Sequence, residues 1–346
     1  MPRSARSSFV EWGNAGLIGH AVPRSAGGRG DGFGELVAAH EAFGKETGDT
    51  GLVLALNAHV WGTVFPILRH GTDAQRDSWG RDLVAGTRIG GHAISEPQAG
   101  SDLQGMQAQA ETVAGGFRLS GHKRWATNTP DADLVVVYAR HEGALSAFVV
   151  LRTDAGVRFA EGPTVEACES AGMGDVVLDD CRLPADRLLG KAGNGGLMIQ
   201  QALELERAFI FAGIAGIMER QIAMVIRAVR SRRVGGGPLA ANPAIAHRIA
   251  EMRTRLDTLK LWIRHCATLA DAGRNITMAS SQAKLFGAEA FLQSSLDAVH
   301  LRGASGLETG EPTVRWVRDA MASRLFSGSS EVQRNIIAAM LGIGSA

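Results

Sequence analysis

The sequence has few cysteines. Only Cys168, Cys181 and Cys266 occur among its 346 residues. Their number is odd, they are widely spaced, and no Cys-x-x-Cys pair is present. The sequence therefore predicts neither a disulfide framework nor a thiolate metal site, and we expect a cytoplasmic protein that binds no metal.

The chain also lacks an excess of either charge and lacks long apolar runs. Its 36 Lys and Arg nearly balance 35 Asp and Glu, for a net charge of +1, which argues against nucleic-acid and membrane-surface partners. A membrane-spanning helix needs roughly 18 or more apolar residues. The closest stretch, residues 50–68, is interrupted by Asn57, His59 and Gly62, so we expect a buried amphipathic helix there.

Apolar residues suffice for a large core, because 45% of the chain is hydrophobic and 21% is charged. The hydrophobic period is helical over residues 36–86, short and alternating over residues 89–188, and helical again afterwards. The sequence thus predicts an α+β protein. The predicted domains are residues 1–88, 89–190 and 191–346, and the later helical patterns cover residues 196–232, 243–272, 277–302, 311–324 and 329–341.

The segment "ISEPQAGSDLQ" (residues 94–104) lies where the first helical block meets the β block, a position that suits a ligand crevice. Ser95 and Ser101 offer hydroxyl groups, Gly100 allows close backbone approach, and Asp102 can cap the turn. A capped surface loop is the alternative interpretation.

Two other segments carry weaker signals. "GHKRWATNTP" (residues 121–130) places Trp125 beside Thr127 at a strand end, where the indole is either part of the core or a platform for a planar ligand. "LRGASGLE" (residues 301–308) is a glycine-rich turn between helices and includes Gly303.

A hydroxyl-rich turn precedes the last helical pattern. Residues 327–330 read "SGSS" and stand just before the apolar rhythm of Val332, Ile336 and Met340. A turn at a helix N-terminus presents backbone N–H groups and can bind negative charge. The four residues include no carboxylate, histidine or cysteine, so a general base would have to come from elsewhere.

In order along the chain, these segments resemble motifs of the acyl-CoA dehydrogenase family of flavoproteins. The family pattern has a TEP-AGSD loop, a K-W-I-T-N strand, an R-x-Q-F-G turn, a Q-x-x-G-G-x-G turn and an E-G-T-S-E-I-Q-R helix start. Here the matching segments read "SEPQAGSD", "KRWATN", "RRVGGGPL", "HLRGASG" and "SGSSEVQR". The resemblance covers most of the chain. It implies an N-terminal helical domain, a middle β-barrel or sandwich domain and a C-terminal four-helix bundle, in a homodimer or homotetramer with FAD at a subunit interface.

The resemblance also implies which residues act. The backbone N–H of Ser327, with a ribityl hydroxyl of FAD, would bind the thioester carbonyl and stabilise the enolate-like charge that develops when the α-proton leaves. Substrate contacts would come from Ser101, Arg207 and Ser327. The residues that would contact FAD are Ile94, Ser95, Gly100, Ser101, Trp125, Thr127, Arg232, Gly303, Ser329 and Glu331.

The general base is not at the commonest family position. That position, the Glu of E-G-T, is Ser327 here, and an ordinary serine hydroxyl cannot act as a base near pH 7. Glu206 is the candidate base, because helical spacing puts it on an apolar face with Leu203, Phe209 and Ile210. Some family members, resembling isovaleryl-CoA and long-chain acyl-CoA dehydrogenases, carry their base just before an Arg of the bundle helix. The alternative is a structural carboxylate held by Arg207 or another bundle residue.

Three positions depart from the family pattern. Gly235 replaces a Phe that packs on FAD from the neighbouring subunit, Pro243 replaces a Gln, and His300 replaces the Gln of the glycine-rich turn. These changes predict weaker retention of FAD. The segment at residues 12–30 resembles one that normally follows a longer first helix, so we expect a shortened helix and a pocket that is more open or is covered by another chain.

Three functions are compatible with these features. The first is FAD-dependent α,β-dehydrogenation of an acyl thioester, carried by CoA or by an acyl-carrier protein, with Glu206 as base and flavin N5 as hydride acceptor. The second is a flavin-dependent monooxygenase of the same fold. The third is a non-catalytic partner subunit of a heteromeric dehydrogenase. Acyl chain and electron acceptor are not specified by the sequence.

Overall fold

The computed structural model describes residues 5–344, which divide into two compact units. Within this range, the first unit comprises the residues up to Gly32, Leu54–Val165 and Glu169–Glu206. The second comprises Phe33–Val53, Glu166–Cys168 and the residues from Arg207 onward. The division into three domains at residues 88 and 190 stays a prediction.

The first unit contains most of the N-terminal helices and the whole large sheet. Two π-helical turns, Val60–Val64 and Arg76–Gly80, connect helices in this region. The helices before the sheet are α1 (Ala5–Asn14), α2 (Phe33–Thr47, in the second unit), α3 (Thr50–His59), α4 (Phe65–His70), α5 (Asp73–Gln75) and α6 (Arg81–Val84).

The sheet has eight strands and is mostly antiparallel. Seven strands follow the order β6-β7-β3-β2-β4-β5-β8, and β1 pairs in parallel with β4. β4 is almost fully buried, which places the core of this unit around it. The strands are β1 (Gly90–Ala93), β2 (Gln109–Val113), β3 (Gly116–Ala126), β4 (Leu134–His141), β5 (Ala144–Leu151), β6 (Val157–Glu161), β7 (Gly174–Pro184) and β8 (Leu188–Leu189).

Side-chain hydrogen bonds hold the N-terminal helices to the sheet. Asn128, which follows β3, donates its amide to the carbonyls of Ala55 in α3 and Gly90 in β1, each at 3.0 Å. The His59 ring accepts from the Gly90 N–H at 3.0 Å. Since these groups are buried, the bonds satisfy polar groups that would otherwise cost free energy, and they fix where β3 ends.

The second unit consists of helices. After α7 (Gly195–Ser231), a two-stranded hairpin of β9 (Arg233–Val234) and β10 (Gly237–Pro238) leads to α8 (Pro243–Asp271). α2 contacts α7 closely: a Cβ at Gly44 would lie 1.9 Å from the Gly213 carbonyl oxygen. The helices are α7 (Gly195–Ser231, whose first part belongs to the first unit), α8 (Pro243–Asp271), α9 (Thr277–Arg302), α10 (Pro312–Ser323) and α11 (Ser330–Met340).

The fold class and the helical pattern predicted from the sequence are confirmed. α8 begins where local chemistry predicts, because the Asn242 side chain accepts from the Ala244 N–H and Pro243 occupies the first helical turn. α11 likewise begins at Ser330, with Ser329 as its N-cap.

Two helical segments, Thr50–His70 and Gly195–Ser231, are long and apolar enough to cross a membrane by length and composition. Their most apolar windows are 83% and 72% buried inside the protein, as in the core helices of a folded domain. The sequence predicted a buried amphipathic helix for the first and no apolar run of comparable length elsewhere. Two such buried helices are weak evidence for membrane insertion.

Candidate functional site

A buried ion pair organises the loop at residues 94–108 in the first unit. The Lys123 ammonium donates to Glu96 Oε1 at 2.7 Å and to the Ile94 carbonyl at 3.0 Å. Glu96 also accepts from the backbone N–H groups of Gln107 and Ala108, at 2.7 and 3.0 Å. Both side chains are almost completely buried. One pair therefore ties both ends of the loop to β3.

Lys123→Met should lower the free energy of unfolding by about 3–5 kcal/mol, because it leaves the Glu96 carboxylate buried without its counter-ion. Urea denaturation at a fixed FAD concentration measures the change. The matched control is Lys45→Met, which breaks the exposed Lys45–Glu219 pair and should cost at most about 1 kcal/mol. Equal losses in the two variants would show that the buried pair has no special role.

Trp125 has an unusual conformation at the end of β3. Its φ is 56°, although bulky residues rarely adopt positive φ, and its side chain is 47% exposed. The pairing of β3 with β7 is irregular between Lys123 and Ala126. The Arg124 guanidinium lies 6.0 Å from the indole centroid and is itself held by Asp175. An exposed aromatic residue with a strained backbone on an irregular strand is typical of a functional position.

The Arg124 N–H donates to the Ser95 carbonyl at 2.9 Å, so the structure brings the Ser95 and Trp125 segments together. Ile94 and Ser95 are half-buried, Thr127 is buried, and Gly100 and Ser101 are exposed. Asp102 caps the short helical turn Leu103–Gly105, as the sequence predicted. The group thus presents one accessible indole with adjacent hydroxyl groups, which suits the planar ring and polar side chain of a flavin.

The second unit contains the turn between α10 and α11. Ser327 has φ 55°, a left-handed conformation that is costly for a residue with a Cβ, and Gly328 follows at φ 87°. The Arg324 carbonyl closes the turn by accepting the Ser330 N–H at 2.9 Å. Such strain persists only where the surroundings hold it, at a cost of about 1–3 kcal/mol.

Buried donors from two helices hold the carbonyls of this turn. Arg207 Nε of α7 donates to the Ser327 carbonyl at 3.0 Å, and Gln333 Nε2 of α11 donates to the Gly328 carbonyl at 2.9 Å. Glycine is favoured at position 328, because φ 87° is a conformation that residues with a Cβ rarely adopt, and a Cβ there would also displace Gln333 Nε2, which would lie 2.9 Å away. The two peptide planes that follow Ser327 are therefore held in place before any ligand binds.

The remaining predicted residues occupy three places. Glu206 is 3% exposed on α7, in the first unit. Ser329 accepts from the Val332 N–H at 3.3 Å. The pKa of the Glu331 carboxyl is lowered by its own backbone N–H and, to a smaller extent, by a hydrogen bond with the Ser329 side chain. At Gly303 the backbone is in a region open to glycine alone (φ 64°, ψ −147°), and a Cβ there would lie 3.6 Å from the exposed Arg232 guanidinium.

Other reactive groups do not form a site of their own. Burial raises the pKa of the Cys181 thiol to about 11 and that of the Cys266 thiol to about 12, and it raises the pKa of Cys168 as well. These thiols stay protonated near neutral pH and are poor nucleophiles. Between residues 5 and 344, no cluster of three or more His, Cys, Asp or Glu is placed to hold a metal ion.

Comparisons with known proteins identify the family of the chain. Sequence models of the acyl-CoA dehydrogenase family match the chain in order: the N-terminal domain at residues 1–87, the middle domain at 91–181 and the C-terminal domain at 193–342. The L-prolyl-[peptidyl-carrier protein] dehydrogenase of Pseudomonas fluorescens is 39% identical over 334 residues, which are 94% of this chain and 87% of the relative. Isovaleryl-CoA dehydrogenase of Solanum tuberosum is 30% identical over 330 residues, 94% and 80% of the two chains.

Solved structures give the same result. The prolyl acyl carrier protein oxidase AnaB has a TM-score of 0.95 at 30% identity, covering 98% of this chain and 91% of its own. PigA with FAD and proline has a TM-score of 0.95 at 27% identity, covering 98% and 90%. The chain belongs to the acyl-CoA dehydrogenase family. It is an FAD-dependent oxidoreductase that dehydrogenates an acyl thioester, as the sequence predicted.

The roles of three side chains that hold the candidate site residues in place were not predicted from the sequence. Lys123, Glu96 and Gln333 all lie inside the quoted motifs, but Lys123 and Glu96 pair across two different motifs, and Gln333 folds back onto the Gly328 carbonyl of its own motif. The residues next to these side chains in the sequence do not specify a partner for any of them.

Proposed function

We propose that this chain removes the α-proton and the β-hydride of an acyl group carried as a thioester on a carrier protein. The observation that supports this most directly is the strained turn at Ser327, whose carbonyls are held by Arg207 and Gln333. A turn fixed in this way suits an oxyanion site, since its donors need no rearrangement when charge develops.

In this proposal the Ser327 backbone N–H binds the thioester carbonyl. As the α-proton leaves, negative charge moves onto the carbonyl oxygen, and a donor aimed at that oxygen stabilises the transition state more than the ground state. Arg207 contributes indirectly, because its bond to the Ser327 carbonyl holds the following Ser327–Gly328 peptide, which starts from the same Cα as the N–H donor, and adds positive charge nearby.

Glu206 is the proposed base. It is the buried carboxylate directly before Arg207 on α7, whereas Glu204 is only half-buried. A carboxylate can accept the α-proton at neutral pH, which the Ser327 hydroxyl cannot do. Deprotonation by Glu206 and departure of the β-hydride together leave a Cα–Cβ double bond.

FAD would be held in the first unit by Ile94, Ser95, Trp125 and Thr127, through ring contact and hydroxyl groups, with Gly100 and Ser101 beside them. The other FAD contacts implied by the family resemblance are Arg232, Gly303, Ser329 and Glu331. When bound, FAD supplies flavin N5 as the hydride acceptor. We further propose that the protein works in the cytoplasm as a homodimer or homotetramer.

The carrier-protein handle is favoured over CoA by the relatives. A protein named for a prolyl-carrier-protein substrate is 39% identical over 94% of the chain, while one named for isovaleryl-CoA is 30% identical over the same share. A prolyl group on a phosphopantetheine arm has hydrogens on both its α- and β-carbons, as the proposed reaction requires.

Anaerobic mixing of the FAD-loaded protein with a prolyl-carrier protein should bleach the flavin absorbance. The rate at low substrate concentration should exceed that with prolyl-CoA by about 10-fold or more, because contacts with the carrier protein contribute binding energy. Isovaleryl-CoA is the control for acyl specificity. Equal rates with both prolyl thioesters would refute the carrier-protein handle while leaving the dehydrogenase assignment intact.

Two other outcomes would replace the proposal. Oxygen consumption that depends on NAD(P)H, with no bleaching by any thioester, would support the monooxygenase. A protein that stays colourless after incubation with excess FAD would support the non-catalytic subunit. We expect FAD to dissociate more easily than from relatives that have the Phe and Gln replaced here by Gly235 and Pro243.

A further inference from the structure

Lys284 is a buried lysine next to the Ser327 turn. It lies on α9, is 0% exposed, and is among the largest fully buried side chains. Its ammonium donates to the Arg324 carbonyl at 3.1 Å. The same carbonyl accepts the Ser330 N–H. Lys284 therefore holds the peptide oxygen that closes the turn.

Burying this ammonium is costly. No carboxylate in the described part of the chain lies within salt-bridge distance of it, although its pKa reflects attraction by Glu289 and Glu331. Desolvation, together with repulsion from Arg207 and Arg324, lowers the pKa of Lys284 to about 7. An apolar side chain of similar size would be less costly to bury at this position than an unpaired charge. Packing alone therefore does not explain the amine, and a functional role does.

The neighbours of Lys284 indicate what its functional role is. Arg207 lies close enough to repel it and donates to the Ser327 carbonyl from α7, while Lys284 donates to the Arg324 carbonyl from α9. Two cationic side chains thus bind carbonyls of one short turn. Both raise the positive potential of the turn, which favours negative charge on a group bound to its N–H donors.

We propose that Lys284 is a positioning residue for the oxyanion site: it holds the Arg324 carbonyl, and its charge helps the turn to stabilise the developing enolate. The inference rests on the proposed function of Ser327. The amine does not touch the substrate, and it exchanges no proton with it. Its contribution is greatest when it is protonated and smaller when it is neutral, since the neutral amine keeps the hydrogen bond but loses the charge.

Lys284→Met tests the proposal, because methionine keeps most of the length and loses both donor and charge. At pH 6 we expect flavin reduction at saturating thioester to fall on the order of 10-fold, with little change in KM. The ratio of wild-type to variant rates should shrink toward pH 9, as Lys284 in the wild type loses its proton through about pH 7. The ratio removes the pH dependence that both proteins share.

A binding measurement provides a readout that is independent of turnover. A 3-oxoacyl thioester ionises to an enolate whose absorbance reports its bound charge state. Its α-proton should be less acidic when bound to Lys284→Met than when bound to the wild type, and Lys284→Gln, a neutral donor, should be intermediate. Lys260→Met is the control, since Lys260 is paired with Glu41 and Glu219, and it should leave the acidity of the bound thioester unchanged.

A stability measurement distinguishes the proposed positioning role of Lys284 from a purely structural one. Lys284 has a lowered pKa in the folded state, so its charge opposes folding most below pH 7, and the opposition fades as the pH rises from about 7 toward 10.5. Lys284→Met should accordingly be more stable than the wild type at pH 6. A rate ratio that does not change with pH, or a loss matched by lost folded protein, would refute the inference. A wild type that no acyl thioester reduces would instead refute the proposed function.

Discussion

Replacing Glu206 by glutamine should leave a folded protein that still binds FAD but whose flavin is reduced by substrate about 100-fold more slowly or worse. Glutamine keeps the size and hydrogen-bonding capacity of glutamate and loses its basicity. Because Glu206 is 3% exposed, the substitution leaves the protein surface unchanged. Anaerobic rapid mixing with the acyl thioester measures flavin reduction directly, without the electron acceptor.

Glu204→Gln is the matched control, since it removes the same charge two residues away on α7 from a half-buried side chain. Its rate should stay close to that of the wild type. If Glu206→Gln, folded and loaded with FAD, also reduces its flavin at the wild-type rate, Glu206 is not the base.

A gain of activity tests the same assignment. The family resemblance implies that position 327 is the commoner place for the base, so adding Ser327→Glu to Glu206→Gln should restore part of the reduction rate. Ser327→Glu with Glu206 intact is the control for disruption of the turn. If the double variant is no faster than Glu206→Gln while that control is active, the two positions do not serve the same proton.

Loss of the backbone N–H at position 327 should cost on the order of 100-fold in turnover, the usual scale for one oxyanion donor. Ser327→Ala keeps the N–H and should keep most of the activity. Ser327→Pro removes the N–H, but proline fixes φ near −65° and Ser327 has φ 55°, so this variant would also rebuild the turn. The activity loss of Ser327→Pro would therefore not measure the contribution of the N–H donor alone.

An amide-to-ester replacement separates the two effects. Incorporating the α-hydroxy acid analogue of alanine at position 327 exchanges the N–H for an oxygen and leaves φ free to stay positive. Compared with Ser327→Ala, it should reduce turnover about 100-fold with a similar melting temperature. Equal turnover in the two proteins would mean that another group binds the carbonyl. A large loss in Ser327→Ala itself would assign the role to the hydroxyl.

Local sequence was sufficient for the secondary structure and the family. The periodic pattern at residues 277–302 coincides with α9, and the predicted start of the last helix at residue 329 is the N-cap of α11. These features depend on neighbours three or four residues away and on capping side chains, so short segments of the sequence determine them. The motif order along the chain likewise identified the family and its FAD chemistry.

The tertiary structure alone decided how the turn is held. Arg207 and Ser327 are 120 residues apart in sequence, and Lys284 and Arg324 are 40 apart, so no local pattern could pair them. The positive φ values of Ser327 and Trp125 are also invisible in the sequence, because neither residue favours that conformation. Each is adopted only because contacts from distant segments make up for local strain, and such contacts exist only once the chain has folded.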